Sequence, residues 1–316
     1  MGLFTKTKKN AGYLAIGFTD DGICAAQINR STSGMPQVEL LASYLLSEPI
    51  TEAALEKLAK DLQVGRYDCG TLLRADEYQL LSVDAPNVPP NELKTAIRWR
   101  LKDMLDFHID DATIDVLDVP MDKNAATRNH SMYAVASRNQ MISQRQALFS
   151  TAKIPLSVID VPEMAQRNIS ALLEPEGRGL ALLSFDAHGG LLTVTFAGEL
   201  YLSRRIEVPL AQLQQADIEQ KNVSYEKITL ELQRSLDHFD RQYHFITLSK
   251  LVLAPLGDAS ADLQQYLATN LYLPIETLNL ATVLDLSKMP QLNLAESQQR
   301  FFLTLGAALR VEEKVL

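Results

Sequence analysis

The chain has 316 residues, 47% of them hydrophobic and 22% charged, with a net charge of −9 and a pI near 5.1. That length carries two domains, or one divided domain, with a sizeable core, and the acidic balance argues against nucleic acid as a partner. No apolar run approaches the ~20 residues that span a bilayer, and the start lacks the apolar stretch of a secretory signal, so the sequence reads as a cytosolic protein.

Lys6, Lys8 and Lys9 form a short basic start, read as a solvated terminus in preference to a lipid contact. Residues 13–28 alternate in character around Asp21-Gly22, which predicts a hairpin. A third strand at 38–46, a helix at 52–62 and strands at 69–73 and 78–83 follow. Pro89-Pro90 and Asn91, a candidate N-cap, open a helix over 91–105. Its apolar face is Leu93, Ile97, Leu101, Met104 and Leu105. A strand at 113–119, a polar gap at 121–129, a strand at 131–137, a helix at 138–152, a strand at 156–160 and a helix at 162–173 come next. The charged, Gly-punctuated stretch 174–179 is the main boundary. After it the strand-turn-strand-turn-strand logic repeats at 180–185, 191–196 and 200–208, then a long amphipathic helix at 225–242, a strand at 248–254, a helix at 258–270, a strand at 275–278 and a closing helix at 298–309.

Several side-chain groups invite chemical readings and are better explained locally. Asp20-Asp21 sits in a turn, where Asp bonds its own backbone. His108 with Asp110-Asp111 reads as a helix exit. Ser184, Asp186 and His188 lack a nucleophile elbow, and His238, Asp240 and His244 lack metal-ligand spacing on their helix. Arg204-Arg205 reads as a solvated or ion-paired strand edge. Cys24 and Cys69 lack a C-x-x-C spacing and read as core thiols. Trp99 is a core or an interface anchor, with the core favoured.

Five blocks of the chain resemble the PilM-like pilus assembly proteins. They are residues 13–28, 86–119 with the core Ala96-Ile97-Arg98-Trp99-Arg100, 135–165, 180–206 and 226–255. The ending at 301–310 resembles the family's closing helix, and the wording is nearest the branch serving mannose-sensitive haemagglutinin (MSHA) pili. The resemblance implies an α/β, actin-like fold: a duplicated ribonuclease-H-like core with an inserted α-β-β-α-β subdomain. The first lobe is then 1–85, completed by 161–176 and 298–316, the insertion 86–160, and the second lobe 177–297.

Family members that bind ATP use two Asp-x-Gly loops and a Gly-rich turn, and this chain departs at all three. Ala15 stands where the first Asp belongs, with Gly17 retained. Ser184-Phe185-Asp186 replaces the second loop, with Gly189 and Gly190 displaced downstream. Pro255 and Gly257 lie in Ala254-Pro255-Leu256-Gly257 where the Gly-rich turn belongs. These departures predict no cofactor, neither ATP nor Mg²⁺, and no catalysis. The alternative is an ATP-binding actin-like ATPase with a rearranged site, its nucleotide cycle gating a partner. The resemblance implies a cytosolic scaffold, peripheral at the inner membrane, that holds the tail of a PilN-like bitopic protein, MshJ-like in this branch. The groove would lie between first lobe and insertion, with Leu93, Ile97, Trp99, Leu101 and Met104 of the 91–105 helix as candidate contacts. Self-association is left open.

Overall fold

The computed structural model describes residues 13–30, 34–46, 51–121 and 130–311. The basic start and most of the polar gap singled out above lie outside these ranges.

Strands β1 (Tyr13–Thr19), β2 (Gly22–Asn29) and β3 (Gln37–Leu45) form an antiparallel meander. Its first turn is held by Thr19 Oγ1 donating to Asp21 Oδ1 at 2.8 Å. Helix α1 (Glu52–Asp61), capped by Thr51, buries Leu55 and Leu58 and leads to β4 (Asp68–Leu72), parallel to β1. The chain then leaves this sheet. β5 (Tyr78–Asp84), α2 (Leu93–Leu101), β6 (Ala112–Asp118) and β7 (Ser131–Arg138) make a separate unit whose strand order is β5-β7-β6. Helix α3 (Asn139–Thr151) returns to the first body, and β8 (Leu156–Asp160) adds to β4 in parallel, giving the order β3-β2-β1-β4-β8.

Helix α4 (Pro162–Ser170) crosses to the second half. There β9 (Gly179–Phe185), β10 (Gly190–Phe196), β11 (Glu199–Ile206), α5 (Leu210–Leu213), α6 (Ile218–Gln242), β12 (Leu248–Leu253), α7 (Ala259–Asn270) and β13 (Ile275–Thr277) repeat the first plan. The sheet order β11-β10-β9-β12-β13 matches that of the first sheet strand for strand. Helix α6 buries Ile228, Leu232, Leu236 and Phe239, spaced by three or four residues, so one stripe faces the core. Each such side chain contributes roughly 1.5–3 kcal/mol. The last helix, α8 (Ala295–Ala308), closes the chain.

The pairing redraws three boundaries. β5, expected in the first lobe, pairs along seven residues with β7 of the insertion. α3 and β8, expected in the insertion, belong to the first body: Phe149 of α3 packs with Leu55 and Leu58, and β8 pairs with β4. The insertion is therefore β-α-β-β and not α-β-β-α-β. Alternation marks a strand but not its sheet, so the sequence pattern could not decide this. Helix α2 ends at Leu101, short of residue 105, and Asn91 lies in a 3₁₀ turn ahead of it without capping it. Helix α6 starts at Ile218, seven residues before the expected start at 225, because Asp217 caps it by accepting from the amides of Glu219 and Gln220.

The two crossing helices join the halves. α4 lies on β9, β10 and β11 of the second sheet, α8 lies on β1, β2 and β4 of the first, and the helices pack against each other. Buried Gln166 of α4 fixes its seat: Nε2 donates to Leu182 O at 2.7 Å, Leu191 O at 3.1 Å and Thr193 Oγ1 at 2.9 Å. At the crossing a Cβ on Gly306 would sit 2.2 Å from Ala165 O. Asn168 Nδ2 donates to Gly306 O at 3.0 Å.

In a helix interior Gly→Ala is ordinarily favourable by about 1 kcal/mol. At Gly306 the overlap with rigid backbone decides the sign. Gly306→Ala should lower stability in urea unfolding by about 1–3 kcal/mol. Gly65→Ala, where a Cβ meets nothing within 4 Å, should be neutral or mildly stabilising.

Candidate functional site

Two openings are candidates. The first is a cavity of about 440 Å³ between the lobes. It is lined by the β1–β2 turn (Gly17 to Asp21), the β9–β10 turn (Ser184 to His188), Ala254 and Pro255 at the end of β12, Leu72 to Ala75, and α8. The fold thus brings Gly17, Ser184, Asp186 and Pro255 to one place. Ala15 lies beneath, in the core shared with α8, and Gly189, Gly190 and Gly257 do not line the cavity.

Four of the degenerate positions are held by structural contacts. Ser184 Oγ donates to Gln166 Oε1 at 2.6 Å, so its hydroxyl is spent seating α4. Asp186 turns into its own turn, its Oδ1 accepting from the amides of His188 at 2.8 Å and Gly189 at 3.0 Å. Gly189 has φ +147°, and a Cβ there would meet Ile206 O at 2.6 Å, so this glycine serves the turn. Gly17 is confined by α8, since a Cβ would lie 2.7 Å from Thr304 Oγ1. Pro255 offers no amide to a ligand.

The charged groups at the mouth are also committed. Arg300 of α8 grips Asp21 with both terminal nitrogens at 2.6 and 3.0 Å, and its Nε donates to Ser43 Oγ at 2.9 Å. The hydrogen bond from Arg300 holds the Asp21 carboxyl below its usual range. His188 Nε2 faces Asp20 Oδ1 at 3.4 Å across the cleft. Among the described residues no cluster of three or more His, Cys, Asp or Glu side chains is arranged to hold a metal. Arg74, Glu296, Gln299 and Arg300, absent from the sequence-based list, also line the cavity: Arg74 from the turn after β4, the other three because α8 returns beneath β1. The resemblance marked the closing helix but gave no sign of which side chains face inward.

The second opening is a groove of about 270 Å³ between the first lobe and the insertion. Its walls are Thr113 and Asp115 of β6, Val135 and Ser137 of β7, Ile142 and Gln146 of α3, and Leu156 to Ile159 of β8. β8 is an edge strand, paired only with β4 among the described residues, and β6 is the edge of the insertion sheet. Asp160 O accepts from Leu73 N at 2.9 Å, so Asp160 faces β4. By the strand's period of two, the backbone groups of Ser157 and Ile159 face the groove.

Helix α2 does not line this groove. Ile97 and Leu101 are fully buried against the opposite face of the insertion sheet, with Val83, Val116 and Met132. Leu93 is half-buried beside them. Trp99 is 71% exposed and Met104 46% exposed, so the favoured core position for Trp99 is corrected. The neighbouring Arg98 and Arg100 bond to backbone carbonyls (Arg98 Nη1 to Ala112 O at 3.0 Å, Arg100 Nη1 to Asp84 O at 3.0 Å), which fixes the helix with Trp99 pointing outward.

A buried polar joint ties insertion, α4 and second lobe together. Tyr78 donates to Glu163 Oε2 at 2.5 Å, and Arg205 Nη2 donates to Tyr78 Oη at 2.5 Å and to Glu163 Oε1 at 3.2 Å. Burial, reinforced by Glu163, pushes the Tyr78 phenol well above its ordinary pKa. Arg205, itself partly exposed, is thus ion-paired with buried Glu163, and Arg204 is exposed.

No protein-family model matches the chain, and no curated protein matches it. Solved structures do. A chain of the PilM-PilN type IV pilus biogenesis complex is similar over 94% of this chain and 98% of its own, at a TM-score of 0.71 and 20% identity. A Bacteroides thetaiotaomicron protein described as having an actin-like ATPase fold and unknown function is similar over 93% and 99%, at 0.51 and 11% identity. The duplicated sheet order, the crossing helices and these likenesses agree: the fold is actin-like, with an insertion in its first lobe.

The Asp21–Arg300 pair makes a pH-dependent contribution of known sign. A carboxyl whose folded pKa lies below its unfolded value of about 3.9 adds stability above that value and loses it as pH falls through the folded pKa. Arg300→Met should destabilise at pH 7 by at most about 1 kcal/mol, because Asp21 is largely exposed, and the deficit should shrink below about pH 4. Urea unfolding of both proteins at pH 7 and pH 3 checks it.

Proposed function

We propose that this chain is a PilM-like, non-catalytic scaffold of a type IV pilus assembly platform, of the MshI type that serves MSHA pili. Its work is to hold the cytosolic tail of a PilN-like, here MshJ-like, bitopic inner-membrane protein, which keeps it peripheral at the inner membrane. The observation that carries this reading is the groove: an unpaired strand edge, β8, facing an insertion sheet across an apolar trench. An extended peptide can add to such an edge through main-chain hydrogen bonds while alternate side chains enter the trench. The likeness to the pilus complex supports it. Among the described residues no helix is long and apolar enough to cross a membrane, so membrane attachment by a helical span would have to come from a partner or from residues outside them. Among the described residues Asp115 is the only ionisable lining group, so the trench suits an apolar peptide with neutral or basic residues over an acidic one.

The second reading, an ATP-binding member with a rearranged site, draws on the interlobe cavity, which is large enough for a ligand. Against it stand Ala15, the spent Ser184 and Asp186, and the Asp21–Arg300 pair. Calorimetric titration should detect no Mg-ATP binding at ~100 μM, or about −5.5 kcal/mol. Heat of binding at or below that concentration would favour the second reading.

The groove reading predicts which variants matter. Gln146 is exposed and Ile142 half-buried on the trench wall. Gln146→Trp, which fills the trench, and Ile142→Asp, which leaves an unpaired charge in it, should each weaken binding of the PilN-like tail at least ~10-fold. Thermal midpoints should hold. Trp99→Ala should leave affinity unchanged. The opposite pattern, binding lost with Trp99→Ala and kept with both groove variants, would move the site to α2.

A further inference from the structure

The interlobe cleft holds a polar group that the fold does not use. Thr304 of α8 is 4% exposed and lines the cavity. Its Oγ1 lies under Gly17, where a Cβ would come within 2.7 Å of it. The buried hydroxyls of α6 are spent on their own helix: Thr229 Oγ1 donates to Tyr225 O at 2.8 Å and Ser235 Oγ to Glu231 O at 2.6 Å. Thr304 makes no such bond and has no hydrogen-bond partner among the described residues. A buried hydroxyl without a partner is costly to keep, and this one opens onto a space of about 440 Å³.

The walls of that space are apolar and its charge has one sign. Phe18, Leu72, Phe185, Leu210, Phe302 and Leu303 line it. Half of these are aromatic, and ring faces attract both flat bodies and cations. The two lining guanidiniums are committed. Arg300 is bidentate on Asp21, and Arg74 is engaged by Asp76 at 3.3 Å and Glu77 at 3.4 Å. Asp20, Asp186 and Glu296 are left with no guanidinium or ammonium bonded to them among the described residues. Asp20 faces His188, Asp186 spends only Oδ1 on its own turn, and Glu296 stands exposed at the start of α8. Carboxylates around a cleft with low-dielectric walls focus the potential and draw in positive charge. Among the described residues no set of side chains is arranged to hold a metal ion, and apolar walls reward a carbon skeleton, so the matching cation is an organic one.

We infer that the interlobe cleft is a binding site for a small organic cation: a flat apolar body between the phenylalanine rings, a protonated amine among the carboxylates Asp20, Asp186 and Glu296, and a ring N–H or O–H paired with the free hydroxyl of Thr304. The parts are those of small-molecule pockets in general, an apolar lining with a few convergent polar groups. The charge preference is the reverse of a phosphate site. The inference concerns the cleft alone and does not rest on the groove reading.

Three probes with one ring and different charge test it by calorimetry on the full chain: tryptamine, tryptophol and indole-3-acetate. Tryptamine should bind at least about tenfold tighter than tryptophol, and indole-3-acetate should give no heat over the same range. Glu296→Gln should cut tryptamine affinity by about threefold, the scale of an exposed ion pair, and leave tryptophol unchanged. Thr304→Val keeps the shape and removes the hydroxyl. It should weaken tryptamine and tryptophol alike by about threefold to tenfold, while the thermal midpoint of the free protein holds or rises because no bond is lost. Asp115→Asn, the same charge change in the other opening, should alter none of these values. The inference is overturned if the three probes bind equally, if indole-3-acetate binds tightest, or if tryptamine gives no heat at ~1 mM. It is also overturned if Thr304→Val lowers the midpoint, which would make the hydroxyl structural, or if Asp115→Asn acts like Glu296→Gln, which would make the attraction a general one to an acidic surface.

Discussion

The approach of α8 to α4 at Gly306 is the constraint on which the rest of the molecule depends. With no side chain at that position the helix backbones can cross, and Asn168 then bonds the carbonyl exposed there. The crossing lets each half's last helix sit on the other half's sheet. α8 brings Thr304 under Gly17 and Arg300 up to Asp21, which builds the floor and one wall of the cleft. α4 brings Gln166 to Ser184, and Val161 and Pro162 at its N-terminal end separate the cleft from the groove. Neither opening has a shape independent of this contact.

Much of the fold was legible because it is periodic. Both meanders, their turns at Asp21-Gly22 and Gly198, and the stripe of α6 follow from alternation, turn chemistry and helical spacing. Sheet membership was not legible. β4 and β5 look alike as short apolar strands separated by one turn, yet β4 pairs with β1 and β5 with β7. Only long-range pairing distinguishes them. Trp99 failed for a related reason. A helix face is assigned by where apolar residues cluster, and Ile97 and Leu101 claim the buried face, which leaves Trp99 about 100° away per residue of offset on the outer side. Of the nucleotide-loop positions, Gly17, Ser184, Asp186 and Pro255 meet at the cleft while Gly189, Gly190 and Gly257 do not line it, and the partners Gln166 and Thr304 come from helices more than a hundred residues apart in sequence and carry no local signal.

The side chains around the cleft are engaged with one another in ways that bear on what it could hold. A polyphosphate ligand needs bare amides and uncommitted cations. Here the second-loop carboxylate caps its own turn, a proline sits at the β12 exit, and the guanidinium nearest the first turn is bidentate on Asp21. The lining carries Asp20, Asp21, Asp186 and Glu296 against Arg74 and Arg300, so an anion entering it would have to displace internal pairs and then face surplus carboxylates.

The groove presents the reverse case. Exposed strand edges are a liability that folded proteins cover, twist away or charge. The β8 edge is instead left facing a trench roofed by the insertion sheet, where another soluble chain cannot easily reach it but a single extended strand can. The insertion has two faces and spends them differently. One is filled by Ile97 and Leu101 of α2, which makes the sheet a stable unit in its own right. The other is shared between the trench and the second lobe. A partner strand seated on β8 would therefore touch the same face of the insertion sheet that packs on the second lobe.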